Sequence, residues 1–279
     1  LQIFGVRDSD FSDELLINNK IILEANSFAN LLLCTHTMSL EGFHTEENID
    51  IFLKEGASAN IVVMQNENNS SEHKSKFVLT LEKDSKLKIT TVTLHGAKIT
   101  NEVIAHLNGI NVNCELNGLC LADGTQTMST SINVHHHFRN CHSSQLFKGI
   151  LDDESKAVFI GKIFVDRDAQ KTEAYQANHN LLLSKKAKAY VQPQLEIYAD
   201  DVKCSHGATS GRLDENVLFY MRSRGIGNDE AKLLQQLAFV YDVLDTISSE
   251  NLKKRLEELV ESRLRGEFSH CTNCSVNCC

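Results

Sequence analysis

Ile110-Asn-Val-Asn-Cys-Glu-Leu116 decides the reading of the fold. Ile110, Val112, Cys114 and Leu116 alternate with Asn111, Asn113 and Glu115. A period of two puts the apolar set on one face of an extended strand and the polar set on the other. The same alternation runs through Ile49–Ile51–Leu53, Ile61–Val63, Phe77–Leu79–Leu81, Leu87–Ile89 and Leu195–Ile197. From about Ile17 to about Ser205 the chain therefore reads as many short strands, each with one face on a common core. Val158–Val165 is apolar on both sides apart from Lys162, which predicts a strand covered on both faces. A small or polar turn followed by an alternating strand recurs at Gly56–Ala59, Asp84–Leu87, Gly109–Val112, Glu154–Ala157 and Lys186–Ala189. The spacing, roughly 25 to 45 residues, overlaps the period of solenoids. Periodicity alone leaves a β-helix and a β-sandwich equally open.

The character changes after Gly211. Leu213–Arg224, Asp229–Ile247 and Ser249–Arg265 read as three helices, with Asp214, Asp229 and Ser248 or Ser249 as N-caps and Gly225 and Gly266 as stop signals. In the last of them Leu252, Leu256, Leu259, Val260 and Leu264 form an apolar stripe that must pack on something, its own domain before a partner. The chain divides into a β core (1–211), a small helical domain (212–266) and a cysteine-rich tail (267–279).

Composition bounds the function. The chain has 279 residues, 42% apolar, with one Pro, 14 Gly and no Trp, which suits a folded core and neither a disordered nor a collagen-like chain. A net charge of −9 supplies no basic stripe for phosphates, so nucleic acid is not an expected partner. Apolar runs such as Ile21–Leu23 and Leu31–Leu33 are too short to insert in a membrane. Leu1–Val6 runs at once into Arg7, Asp8 and Asp10, unlike a secretory signal, which points to the cytoplasm. Leu1 in place of an initiating Met implies missing upstream sequence. Nine cysteines, an odd number with four in the last nine residues, do not suit a disulfide framework.

A family resemblance enters between about Thr127 and Ile247. It is carried by Cys141-His-Ser-Ser-Gln-Leu-Phe-Lys-Gly-Ile-Leu151, Ala157-Val-Phe-Ile-Gly-Lys-Ile163, Gln170-Lys-Thr-Glu-Ala-Tyr-Gln-Ala-Asn178 and Asn180-Leu-Leu-Leu183. It continues in Pro193-Gln-Leu-Glu-Ile-Tyr-Ala-Asp-Asp-Val-Lys-Cys-Ser-His-Gly-Ala-Thr209 and Leu218-Phe-Tyr-Met-Arg-Ser-Arg-Gly-Ile226. These runs resemble the core domain of the SufB/SufD family of iron–sulfur cluster assembly proteins, and Val202-Lys-Cys-Ser-His-Gly207 is similar to the SufD branch. The resemblance implies a mainly β fold, a right-handed parallel β-helix followed by a small C-terminal α-helical domain. It also implies an additional N-terminal helical region in full-length members.

Cys204 and His206 are two apart, so an extended strand turns both to one face. A thiolate and an imidazole suit iron or a nascent cluster; on its own, a Cys-x-His pair reads more readily as a buried thiol beside a polar histidine. The resemblance implies that this position helps to build the cluster where a SufB-like paralogue pairs with the chain. Two donors do not fill an iron shell, so the site is expected to be shared and its occupancy transient, absent from the isolated protein. The resemblance further implies that a SufC-type ATPase docks on the helical region, where Phe219, Tyr220, Arg222 and Arg224 form a candidate surface. The chain has no phosphate-binding loop of its own, because Gly207-Ala-Thr-Ser-Gly-Arg-Leu-Asp lacks the lysine.

His270 and Cys271, Cys274, Cys278 and Cys279 offer a tetrahedral metal ligand set, against which stands a flexible tail. Of His135–His137, alternation lets only His135 and His137 share a face, and hydrogen-bonded or solvated rings are the default. The function expected is a non-catalytic scaffold. The alternatives are an independent metal carrier using the tail cysteines and a polysaccharide-active β-helix enzyme, for which Asp152, Asp153, Glu154, Asp200 and Asp201 are the only acidic clusters of note. A bare β-helix end exposes unpaired backbone, so homodimerisation in isolation is also expected.

Overall fold

The computed structural model describes residues 1–7, 14–37 and 41–266. Among these described residues fifteen strands precede three helices. They are β1 (Gln2–Arg7), β2 (Glu14–Leu23), β3 (Phe28–Thr37), β4 (His44–Leu53), β5 (Ser58–Asn66), β6 (Glu72–Leu81), β7 (Lys86–His95) and β8 (Lys98–Leu107). There follow β9 (Asn113–Ala122), β10 (Thr127–His136), β11 (His142–Leu151), β12 (Lys156–Val165), β13 (Glu173–Leu182), β14 (Lys188–Ile197) and β15 (Lys203–Gly211). The helices are α1 (Glu215–Ser223), α2 (Asn228–Leu244) and α3 (Glu250–Leu264).

Odd-numbered strands stack in one eight-stranded parallel sheet and even-numbered strands in one seven-stranded parallel sheet. This is a parallel β-helix of two faces. Register partners in neighbouring coils lie from 26 residues apart (Glu72 opposite Lys98) to 32 apart (Lys156 opposite Lys188). Inward side chains repeat coil upon coil: Ile49, Ile51 and Leu53 on β4 lie under Phe77, Leu79 and Leu81 on β6, all at most 3% exposed.

The stretch that opened the sequence reading is not one strand. Asn111 sits at a corner with φ +59, and β9 begins only at Asn113. Val112, Cys114 and Leu116 nevertheless all point into the core, so the alternation runs through the corner. Asn26, Gly56, Asp84, Asn111, Asn140 and Lys171 all occupy the left-handed region, and each donates its backbone N–H to a carbonyl of the next coil. At Gly56, with φ +70, a side chain would also strike the Asn26 Oδ1 atom at 2.3 Å.

The helices cover the outside of the eight-stranded sheet. Val240, Val243 and Leu244 of α2 and Leu256, Leu259 and Val260 of α3 share one apolar cluster with Leu32, Val62, Met64, Val92, Leu119 and Ile150. The α3 stripe thus packs on its own chain. Two buried cations pin this layer. Lys148 Nζ donates to the Phe239 carbonyl (2.8 Å) and to Asp242, and Arg263 donates to the Leu94 carbonyl (3.1 Å) and Asp123 (2.7 Å). The strand expected to be covered on both faces, Val158–Val165, is open on its outer side, with Ile160 41% exposed, because the described helices α2 and α3 pack on the other sheet. The doubly covered strands are on the other sheet. Ile197 is 37% exposed because β14 is the last strand of its sheet. Asp214 caps α1 as expected, whereas α2 is preceded by Gly227 rather than capped at Asp229.

Gly56→Ala is expected to cost at least about 2 kcal/mol, combining a left-handed conformation with a steric clash. Gly124→Ala, at φ +53 with nothing within 4 Å, should cost only about 1 kcal/mol. Equal shifts in the urea midpoint would count against the corner argument. Lys148→Met, which keeps the stem and removes the charged donor, should cost about 1.5–3 kcal/mol. Lys254→Met, on the exposed face of α3, should stay within about 0.5 kcal/mol in the same titration.

Candidate functional site

β15 is the edge of the eight-stranded sheet, paired with β13 on one side only. Cys204 stands opposite Ala174 and His206 opposite Gln176, and both face inward in the strand's alternation. Their environments differ. Cys204 packs partly against Ile163, Val165, Ala174 and Ala199, with Leu195 and Val202 beside it, whereas His206 is exposed because β15 is the last coil strand among the described residues. Burial pushes the Cys204 thiol above its ordinary value, and a hydrogen bond from the Ala174 backbone only partly opposes this. The thiol is therefore the resting form at neutral pH, and a metal or a nearby cation must draw the proton off to make it a ligand.

Beneath this edge the interior turns polar. Gln176 Nε2 donates to Gln145 Oε1 at 2.6 Å, while Gln176 Oε1 is buried without a partner. Asn180 donates to Asn178 at 2.6 Å on the same inward face of β13. A cavity of about 50 Å³ lined in part by Phe147, Phe159, Val191, Asn178 and Asn180 lies alongside. That volume admits a water or two next to the amides. Gln145 and Gln176 were not singled out from the sequence; the available signal was an amide at an inward position, as at Gln145 on a strand whose other inward residues are Ser143, Phe147, Gly149 and Leu151.

Among the described residues the other free thiols are core residues, whereas Cys34, also buried, is disulfide-bonded. Cys114 and Cys120 are pushed up to about 12 by burial, and Cys141 donates to the Gly109 carbonyl at 3.1 Å. Cys271, Cys274, Cys278 and Cys279, like His270, lie outside the described residues. Of the three consecutive histidines, His136 turns inward to Ser143 Oγ (2.8 Å) and His135 and His137 turn outward, as alternation requires. His106, which the sequence reading passed over, joins them from the neighbouring coil.

At α1 the candidate docking residues are all exposed. Phe219 is 73% and Tyr220 58% exposed, Arg222 and Arg224 are solvated, and the Arg224 guanidinium lies 5.2 Å from the Tyr220 ring centre. Leu218 is the one α1 residue that is fully buried. Among the described residues no helix is long and apolar enough to cross a membrane.

The SufBD core domain of the SUF system for iron–sulfur cluster assembly matches residues 10–239. The chain is 38% identical over 200 residues to the iron–sulfur cluster assembly protein SufD of Escherichia coli, covering 72% of this chain and 47% of that protein. It is 32% identical over 248 residues to an iron–sulfur cluster assembly SufBD family protein of Synechocystis, covering 88% and 54%. A SufBD family protein of Mycobacterium leprae is 29% identical over 226 residues, covering 78% and 58%. The chain thus spans about half the length of the curated relatives it matches.

The raised Cys204 pKa has a measurable consequence. Alkylation of Cys204, followed peptide by peptide by mass spectrometry across a pH series, should reach half its maximal rate above the ordinary thiol value of about 8.5. A midpoint at or below that value would contradict the burial seen at β15.

Proposed function

The chain belongs to the SufB/SufD family of iron–sulfur cluster assembly proteins, and from that premise we propose that it is a non-catalytic scaffold subunit of the SUF assembly machinery. In this reading it pairs with a SufB-like paralogue through the open end of its β-helix. A SufC-type ATPase docks on α1. Cys204 and His206 receive iron or a nascent cluster as cargo, with the remaining ligands supplied across the pairing.

One observation carries the proposal: Cys204 and His206 share a face of an edge strand that has backbone hydrogen-bonding groups still to pair. A strand edge is a template for another strand. A second chain added there would come down beside the exposed imidazole and half-covered thiol, which suits a site that one subunit leaves incomplete. The aromatic surface of α1 supports the second contact, since exposed Phe and Tyr flanked by Arg have the composition of interface anchors. The Asp152, Asp153 and Glu154 cluster has corner duties that weigh against carbohydrate chemistry there. Asp153 accepts from the Gly124 N–H (3.0 Å), Asp152 accepts from the Asp153 N–H (2.8 Å), and Glu154 pairs with Lys186 (2.7 Å).

Anaerobic pull-down with SufB-like and SufC-type partners, followed by iron and sulfide quantification, tests the proposal. Cys204→Ala/His206→Ala should keep both partners and lose most of the bound iron. Phe219→Ser/Tyr220→Ser should lower ATPase recovery roughly tenfold or more while leaving the paralogue bound. If the wild-type chain captures neither partner, or if iron follows the tail cysteines instead, the scaffold reading fails.

A further inference from the structure

Three imidazoles and a carboxylate gather on the open outer face of the seven-stranded sheet, a different sheet from the one that carries Cys204 and His206. Parallel register sets His135 on β10 directly opposite His106 on β8. His137 follows two residues after His135 and so shares its face. Asp166 follows β12 in the next coil, where its backbone N–H bonds the His136 carbonyl at 3.0 Å. The ring centres lie 5.2 Å (His106 to His135), 5.7 Å (His106 to His137) and 5.9 Å (His135 to His137) apart.

The hydrogen bonds orient these rings. Asp166 Oδ2 lies 2.7 Å from His137 Nδ1, so that nitrogen carries the proton and Nε2 presents its lone pair. His137 Nε2 lies 3.3 Å from His106 Nδ1, which donates to it in the metal-free chain. Moving the His106 proton to its own Nε2 leaves two lone pairs facing one space. A tetrahedral ion with metal–nitrogen bonds of about 2.0–2.1 Å has nitrogen–nitrogen edges of about 3.3–3.4 Å and ring centres about 5.2 Å apart. The observed spacings are at or slightly above those values. Among the described residues no three donor side chains converge on one point as they stand, so closure requires the rings to rotate. His106, His135 and His137 are partly exposed and have room to do so. The carboxylate behind His137 is the arrangement that fixes tautomer and raises basicity in histidine-bound metals. The nearby Lys162 disfavours positive charge at His135, an effect that its ion pair with Glu196 and the Asp166 carboxylate offset in part.

We propose that His106, His135 and His137, with Asp166 orienting His137, bind a divalent first-row transition ion that favours nitrogen donors, of the zinc or cobalt type, leaving its fourth position to solvent. The site is independent of the scaffold reading, since it uses neither Cys204 nor the helices.

Cobalt(II) titration of the full 279-residue chain tests it, in a background carrying Cys34→Ser, Cys204→Ser, Cys271→Ser, Cys274→Ser, Cys278→Ser and Cys279→Ser to remove competing thiols. One equivalent should bind with visible ligand-field bands and no thiolate charge-transfer band, and zinc should displace it. His106→Ala/His135→Ala/His137→Ala should abolish that equivalent. Asp166→Asn should weaken it roughly ten- to a hundredfold, the range for losing a carboxylate behind a metal-bound histidine. His137→Gln, a single outward substitution, guards against a misfolded triple variant, and each variant should keep the parental melting curve. The proposal is overturned if the parent binds no cobalt, if the folded triple variant binds as tightly as the parent, or if the bands vanish with His206→Ala instead.

Discussion

Everything else in this molecule depends on a single backbone device: a left-handed corner repeated once per coil. Asn26, Gly56, Asp84, Asn111, Asn140 and Lys171 hold φ between +58° and +70° and hand their N–H groups to the coil that follows, at 2.6 to 3.4 Å. For a non-glycine residue this conformation costs about 1 kcal/mol or more. Asn and Asp carry that cost lightly because their short polar side chains tolerate this region, and they also bond from corner to corner, as Asn111 Nδ2 does to Asp84 Oδ1 of the adjacent coil at 2.9 Å. Lys171 has no such capacity and is held by its 2.6 Å backbone bond to the Asp201 carbonyl. The corner sets the register. A slip of one residue at any of these points would turn every inward side chain of the next strand outward.

Because register is held, residues about thirty apart in sequence become neighbours about 4.8 Å apart in space. Like therefore stacks on like. Asn60 donates to Asn30 at 3.0 Å, Asn48 to Asn18 at 3.1 Å and Gln176 to Gln145 at 2.6 Å, each across one coil. Apolar columns do the same work inside, and the clustering of His106 with His135 is the same effect on the outer face. The two outer faces differ only in cover: α2 and α3 lie across the odd strands, while the even strands meet solvent and carry ion pairs such as Lys74 with Glu46 (3.2 Å).

How much of this was legible in the sequence follows from the range of the interactions. Alternation is local, so the inward faces of β4, β6 and β7 could be read from Ile49–Leu53, Phe77–Leu81 and Leu87–Ile89 alone. The corners were visible as small and polar punctuation at Gly56 and Asp84, but Asn111 was absorbed into a strand because its neighbours kept the alternation. The doubly apolar Val158–Val165 run suggests cover on both faces, but its outer face meets solvent. Leu32, Val62 and Met64 break alternation just as Val158–Val165 does, and nothing local says which outer face receives a helix. The choice between β-helix and sandwich came from the family resemblance, since strand pairing is a property of distant residues. Cys204 and His206 were legible as an i, i+2 pair, whereas His106 was not, because only the register brings it to His135.

The end of the stack separates a core cysteine from a candidate ligand. Cys204, Ala174, Ser143 and Cys114 occupy one inward column, each opposite the next in register. Cys114, with coils on both sides, is wholly buried and its thiol is pushed up to about 12. Cys204 has a coil on one side only; its thiol is raised in the same direction by the same cause, acting from one side. Gln176 and His206 make a parallel contrast in the next column, one 3% exposed and the other open to solvent. Chemistry in a β-helix interior is thus a matter of where stacking stops. Any strand added along β15 would complete the burial of Cys204 and penalise its thiolate, unless a cation arrives with it. In the proposed scaffold, pairing at this edge and metal entry would therefore be coupled by desolvation, whichever chain supplied the strand.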